Sequence, residues 1–158
     1  MVMLSPHLPM LFMGEEYAET APFQYFVDHT DAQLIDAVRR GRRQEFKEFA
    51  WQGDPPDPQD PETFRRCILN RSLRHHGRHR VMWQWYRYLL ELRRRLPSLA
   101  RLDASNMLVD THEAERVVVI RRWTKEHEVV MLWHLAAGEV SGAWSIPAGQ
   151  WRRRLDSP

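Results

Sequence analysis

The sequence predicts an α+β chain in two parts. Residues 1–97 read as one buried strand followed by helices, and residues 98–158 as a small antiparallel β-domain. Three observations predict this. Met10-Leu11-Phe12-Met13 is a continuous apolar run, the pattern of a strand covered on both faces, as in a parallel sheet or an α/β barrel. Met82, Trp85, Leu89, Leu92 and Leu96 lie on one helical stripe. After Pro97 the pattern changes to short β-rich runs, in which Val117, Val119 and Arg121 alternate with Val118, Ile120 and Arg122.

The first run ends at Gly14, and Glu15 and Glu16 follow at once. In barrel enzymes the C-terminal ends of the strands face the active site, so these carboxylates are candidate rim residues. A strand end with a solvated polar turn explains the same residues equally well. Residues 20–29 form an aromatic-rich loop carrying Phe23, Tyr25, Phe26 and Asp28. Rings cover the apolar faces of pyranoses and carboxylates accept from their hydroxyls, which makes the loop a candidate sugar contact. The plainer alternative packs at least half of these rings back on the fold.

A helix is expected from near Thr30, with Thr30 and Gln33 as a capping box and Leu34, Ile35 and Val38 on one face. Gly41 weakens it before a second amphipathic turn that holds Phe46 and Phe49. Four prolines within residues 53–61 forbid a helix or a central strand there. Asp60 and Pro61 then read as the cap and first residue of a short helix reaching Leu69. The clearest helix runs from about Gly77 to Leu96 and is stopped by Pro97. Beyond a boundary near residues 98–105, strands are expected at 107–109, 116–123, 128–134, 143–146 and 150–155.

Composition narrows the function classes. The 158 residues are 43% apolar and include seven tryptophans, so the chain has the means to bury a core. The net charge is only +2, although arginines cluster at 39–43, 93–95 and 152–154. These clusters read as solvated faces, because a nucleic-acid-binding domain carries a larger surplus. Cys67 is the single cysteine, which excludes an internal disulfide and fits a reducing, cytoplasmic location. No basic leader precedes an apolar core at the start, and no apolar run approaches the ~20 residues of a membrane helix. The histidines lack a metal-ligand spacing, so neither metal nor other cofactor is expected. A retaining glycosidase needs two carboxyl groups about 5 Å apart. Glu15 and Glu16 would point to opposite faces if they continued a strand, and so would not form that pair.

The segments Pro9-Met10-Leu11-Phe12-Met13-Gly14-Glu15-Glu16-Tyr17 and Pro22-Phe23-Gln24-Tyr25-Phe26-Val27-Asp28-His29 resemble the eighth barrel strand and following loop of malto-oligosyltrehalose trehalohydrolases, glycosidases of the α-amylase family. Gly41-Arg42-Arg43-Gln44-Glu45-Phe46 and Asp57-Pro58-Gln59-Asp60-Pro61-Glu62-Thr63-Phe64 are similar to that family's next two blocks, in order and spacing. The helix from His79 to Arg94 is similar to its closing barrel helix, and residues after 97 more weakly resemble its C-terminal β-domain. One departure is Ile68-Leu69-Asn70-Arg71, where the family tends to end the block with Trp.

The resemblance implies the last strand and helices of a (β/α)8 barrel followed by a small β-domain, a C-terminal portion of such an enzyme. The family cleaves the α-1,4 bond next to the trehalose unit with an Asp nucleophile, a Glu acid/base and a supporting Asp. All three fall before the point that matches Met1, so no catalytic residue is assigned here. Glu15, Glu16, Phe23, Phe26 and Asp28 are the candidate substrate-binding residues. The implied partners are malto-oligosyltrehalose or an α-glucan, and a chain that supplies the rest of the barrel. Two alternatives are a non-catalytic α-glucan-binding module and a basic nucleic-acid-binding protein.

Overall fold

Val117-Val118-Val119-Ile120 is a run of four β-branched residues, and such residues pack best on a pleated surface. They form the centre of a three-stranded antiparallel sheet in the computed structural model, which describes residues 2–49 and 53–156. Strand β1 (Met107–His112) pairs with β2 (Val117–Trp123), and β2 pairs with β3 (Glu128–His134). The register sets Val119 opposite Asp110 on one side and Leu132 on the other. The Thr124–His127 turn closes with Thr124 N–H donating to His127 O at 2.7 Å, while the Thr124 hydroxyl accepts the amides of Glu126 and His127.

The sheet belongs to one of two compact units, Arg87–Pro158 together with Met1–Met10. Its core is apolar: Leu99, Val117, Met3, Leu4, Val119, Leu89, Leu92 and Met131 are all buried. The expected alternation along β2 holds at Val117 and Val119 but not at Arg121. Arg122, on the opposite parity, is the buried residue, at 1% exposure. The strands expected at 143–146 and 150–155 do not form. Backbone there has no ladder partner among the described residues, and side-chain bonds tie the segment instead. The Trp151 indole N–H donates to Pro147 O, and the Tyr88 hydroxyl donates to Arg154 O.

The second unit, Leu11–Tyr86, is built from helices and turns. The strand expected at residues 10–13 is absent; this stretch is irregular and enters a turn at Met13. A strand persists only with a neighbour to pair with. Here the Phe12 N–H is taken by the Glu15 carboxylate at 2.9 Å, and Glu15 N–H returns to Phe12 O, so local turn closure replaces a ladder. Helix α1 (Ala32–Glu48) starts one residue later than a Thr30 cap would place it. Asp31 caps it, its carboxylate accepting Leu34 N–H at 2.8 Å. Gly41 does not interrupt α1, and none of the helix's residues is buried.

Asp60 caps α2 (Pro61–Arg66) as its sequence predicts, although α2 ends at Arg66 rather than Leu69. There the Cys67 N–H closes back on Phe64 O. A 3-10 turn, Arg71–His75, precedes α3 (Gly77–Arg95), and α4 (Pro97–Ala100) follows it. The two compact units part within α3, at Tyr86 and Arg87, whereas the sequence pattern changes after Pro97. Arg93 corrects the reading of residues 93–95 as a solvated cluster, since it is buried to 8% exposure.

Leu99 is the most buried apolar side chain, at 1% exposure, and α4 packs it toward β2 and β3. Leu99→Ala should therefore cost about 2–5 kcal/mol in urea unfolding of the full chain. Leu102→Ala, at a half-exposed side chain, should stay within about 0.5 kcal/mol. Equal losses for the two variants would show that the core is elsewhere.

Candidate functional site

The candidate residues lie in the Leu11–Tyr86 unit, around a turn that the sequence builds from Gly14 onward. Gly14 sits at φ 92°, and a Cβ there would meet the Glu19 Cβ at 2.7 Å, so the position demands glycine twice over. A 3-10 turn, Glu15–Tyr17, follows, and Ala18 closes it in the left-handed region at φ 54°.

Glu19, which sequence reasoning passed over, is the polar centre of this turn. Its carboxylate accepts four hydrogen bonds: from Asn70 N–H at 2.7 Å, Thr20 N–H at 2.7 Å, Ala21 N–H at 3.0 Å and the Tyr17 hydroxyl at 3.0 Å. Burial alone would raise its pKa, but the Ala21 and Thr20 amides, the Tyr17 hydroxyl and the Asn70 amide outweigh that and lower it. Tyr17 is 3% exposed, and burial, then its bond to Glu19, raises its hydroxyl pKa. His79 Nδ1 reaches both Tyr17 O and Ala18 O at 3.0 Å, so that nitrogen carries the proton. The signal for Glu19 is faint in one dimension, because Asn70 lies far along the chain.

Glu15 and Glu16 occupy the 3-10 turn rather than a strand end, which corrects the geometry expected of them. One oxygen of Glu15 accepts the Phe12 N–H and the other accepts the Tyr86 hydroxyl, each at 2.9 Å. Burial, then the bond to Glu15, raises the Tyr86 pKa. Glu16 accepts Gly14 N–H at 3.0 Å. Phe23 is 64% exposed and meets Phe12 edge-on, with ring centroids 4.8 Å apart. Phe26 is 38% exposed and meets Phe64 edge-on at 5.1 Å. Asp28 is exposed, in a loop pinned by Val27 N–H to Pro58 O and by Gln59 to His29. Among the described residues no hydrogen bond, ion pair or ring contact joins any two of the five candidates. Phe12 links two of them, through its amide to Glu15 and its ring to Phe23.

Two further features share this unit. Arg39 forms a two-point ion pair with Asp57, at 3.0 and 2.8 Å, beside Asp36, Arg40 and Arg43. That bond raises the Arg39 pKa and lowers that of Asp57. Exposed pairs of this kind are screened by solvent and contribute little to stability. Cys67 is half-buried, its sulfur accepting Gln24 N–H at 3.3 Å and donating toward Thr63 O at 3.2 Å, as a packed thiol does.

No protein-family model matches the chain. It is 38% identical over 152 residues to the malto-oligosyltrehalose trehalohydrolase of Mycobacterium tuberculosis, covering 90% of this chain and 26% of that protein. The trehalohydrolases of Deinococcus radiodurans and Rhizobium sp. are 39% and 40% identical, over 92% and 83% of this chain and 25% and 22% of theirs. A solved α-amylase-type protein from Salmonella typhimurium superposes with a TM-score of 0.71 at 35% identity, over 86% of this chain and 23% of that one. The chain thus spans about a quarter of the length of these relatives, and matches a C-terminal portion of them.

A carboxylate held by four donors should make the chain sensitive to acid. A carboxyl whose folded pKa is depressed stabilises fully above its unfolded value, about 4.3, and loses that contribution as pH falls through the folded value. Glu19→Gln should cost about 1–3 kcal/mol near neutral pH. Urea unfolding from about pH 6 to about pH 3 should show wild type losing more stability than the variant. Parallel curves for the two proteins would rule out this role for Glu19.

Proposed function

We infer that this chain, a C-terminal portion of an α-amylase-family protein, belongs to an enzyme that releases trehalose by hydrolysing the α-1,4 bond next to the trehalose unit of malto-oligosyltrehalose. The carrying observation is the 38–40% identity to three trehalohydrolases across most of the chain. In this reading residues 1–97 complete a (β/α)8 barrel and residues 98–158 a small β-domain.

The chain's own residues act as rim and support rather than as the reacting pair. Both oxygens of Glu15 are engaged, by Tyr86 and the Phe12 amide. A carboxylate so held is suited to presenting a fixed negative edge to sugar hydroxyls, not to exchanging protons in turn. Phe23 and Phe26 keep exposed ring area for an apolar pyranose face, and Asp28 is free to accept from hydroxyls. A chain that supplies the rest of the barrel is the implied partner. A cytoplasmic location belongs to the same reading and rests on the single packed cysteine. Among the described residues no helix is long and apolar enough to cross a membrane.

A second reading, a non-catalytic α-glucan-binding module, is favoured by the exposure of Phe23 and Tyr25. Retardation on an amylose column, abolished by Phe23→Ala, would support it. The nucleic-acid reading loses support, because Arg39 is paired and Arg93 is buried.

Two outcomes are expected. The purified chain should release no trehalose from malto-oligosyltrehalose above a buffer blank, since it matches only about a quarter of the length of its trehalohydrolase relatives and a retaining glycosidase needs both a nucleophile and a proton donor. Measurable turnover would overturn that. Exchanged for the matching portion of the Mycobacterium tuberculosis relative, the chain should place Glu15, Glu16, Phe23, Phe26 and Asp28 at or just behind bound sugar. A sugar-bound structure of the hybrid with all five remote from ligand would refute their assignment.

A further inference from the structure

Away from these residues, the Arg87–Pro158 unit holds two buried guanidinium groups with no carboxylate to neutralise them. Arg93, on α3, is 8% exposed, and Arg122, on β2, is 1% exposed. Arg93 donates to Met3 O, Ser5 O and His7 O, and Arg122 to Leu4 O and Arg101 O. Every partner is a neutral backbone carbonyl. Among the described residues neither arginine joins an ion pair, and the Nε of Arg122 is buried without any hydrogen-bond partner. Their charges also act on each other: burial, then the Arg93 charge, lowers the Arg122 pKa.

Carbonyl dipoles satisfy donors but leave a net charge of two in a desolvated place. Such a charge is costly unless an opposite charge is close. A buried lysine escapes by losing its proton, but a guanidinium does not deprotonate in proteins. An unpaired N–H adds its own desolvation penalty. The remaining relief is a bound counter-ion. Of the ten N–H bonds on the two guanidiniums, five go to these carbonyls, which leaves donors for an anion, the partnerless Arg122 Nε first among them. Both groups are enclosed, at 8% and 1% exposure, and a divalent ion costs far more to desolvate there than a singly charged one, which favours a compact monovalent ion.

We propose that Arg93 and Arg122 form a binding site for a small monovalent anion of the halide class, centred on the Arg122 Nε. The Val2–Leu4 3-10 turn and the residues after it supply four of the five carbonyls, so this segment forms the wall of the site.

The test uses the full chain, with chloride as the probe and gluconate as the control at equal ionic strength. The melting temperature should rise with chloride by about 3–5 °C per tenfold increase above half-saturation, and not with gluconate. Chloride-35 NMR should show excess line broadening that bromide displaces. Arg122→Met should lose both effects. If that variant does not fold, Arg122→Lys, which keeps a charge but removes the Nε fork, should bind at least tenfold more weakly. Superimposable melting curves in the two salts, with no excess broadening, would overturn the proposal. So would equal broadening in wild type and either variant, which would assign the effect to exposed arginines such as those at 152–154.

Discussion

The Leu11–Tyr86 unit has almost no apolar interior, and the rest of its structure follows from that constraint. Tyr17 is its only large apolar side chain among the described residues that is buried, while Phe12, Met13, Phe23, Leu34, Phe64 and Ile68 are all near half exposed or more. Burial of large apolar side chains normally offsets the entropy of ordering a chain. Where burial is scarce, directional bonds must fix the conformation instead. Glu19 does this at the centre, drawing residues 17, 20, 21 and 70 to one carboxylate. His79 adds α3 to the same turn through two carbonyls, and Gly14 supplies the backbone geometry that lets Glu19 approach.

The same scarcity bears on function. A turn held by hydrogen bonds has fixed side-chain positions, which suits a rim that presents Glu15 and Glu16 in defined orientations. Its apolar residues face outward, which suits a piece whose cover comes from further chain. Both properties agree with the proposed role as a barrel-completing portion of a trehalohydrolase. The Arg87–Pro158 unit differs in kind: it has an apolar core, and its strands pair among themselves.

Legibility in the sequence divides along the range of the interactions involved. The Asp60–Pro61 cap, α3 and the three paired strands rest on neighbours within a few residues or on strict periodicity, and all were readable. Residues 10–13 looked like a strand because apolar continuity reports burial preference, not the presence of a pairing neighbour. Residues 143–155 failed for the same reason. The Asp31 cap was missed by one position because Thr30 and Asp31 are both competent, and only geometry chooses. Of the candidate site, the residue types and their loop were legible, but Tyr86 meeting Glu15 and Asn70 meeting Glu19 are contacts across more than fifty positions. No local pattern marks them.

Arg93 shows that some of the missing information lay in the pattern and was overruled by composition. Arg93, Arg94 and Arg95 are identical letters in succession, and a charge run invites one solvated reading for all three. Helical geometry separates them. Arg93 is four residues after Leu89 and one after Leu92, both buried, and so falls inside the apolar stripe, while Arg94 and Arg95 are rotated away and exposed. A cation on that stripe must either break the helix's packing or find acceptors within the core. The carbonyls of Met3, Ser5 and His7 are those acceptors, which also explains why a short segment without a long helix or strand packs so deeply. Position within the helical period, rather than residue type, decides whether an arginine is surface or core. In this unit the buried arginine and the irregular segment account for each other.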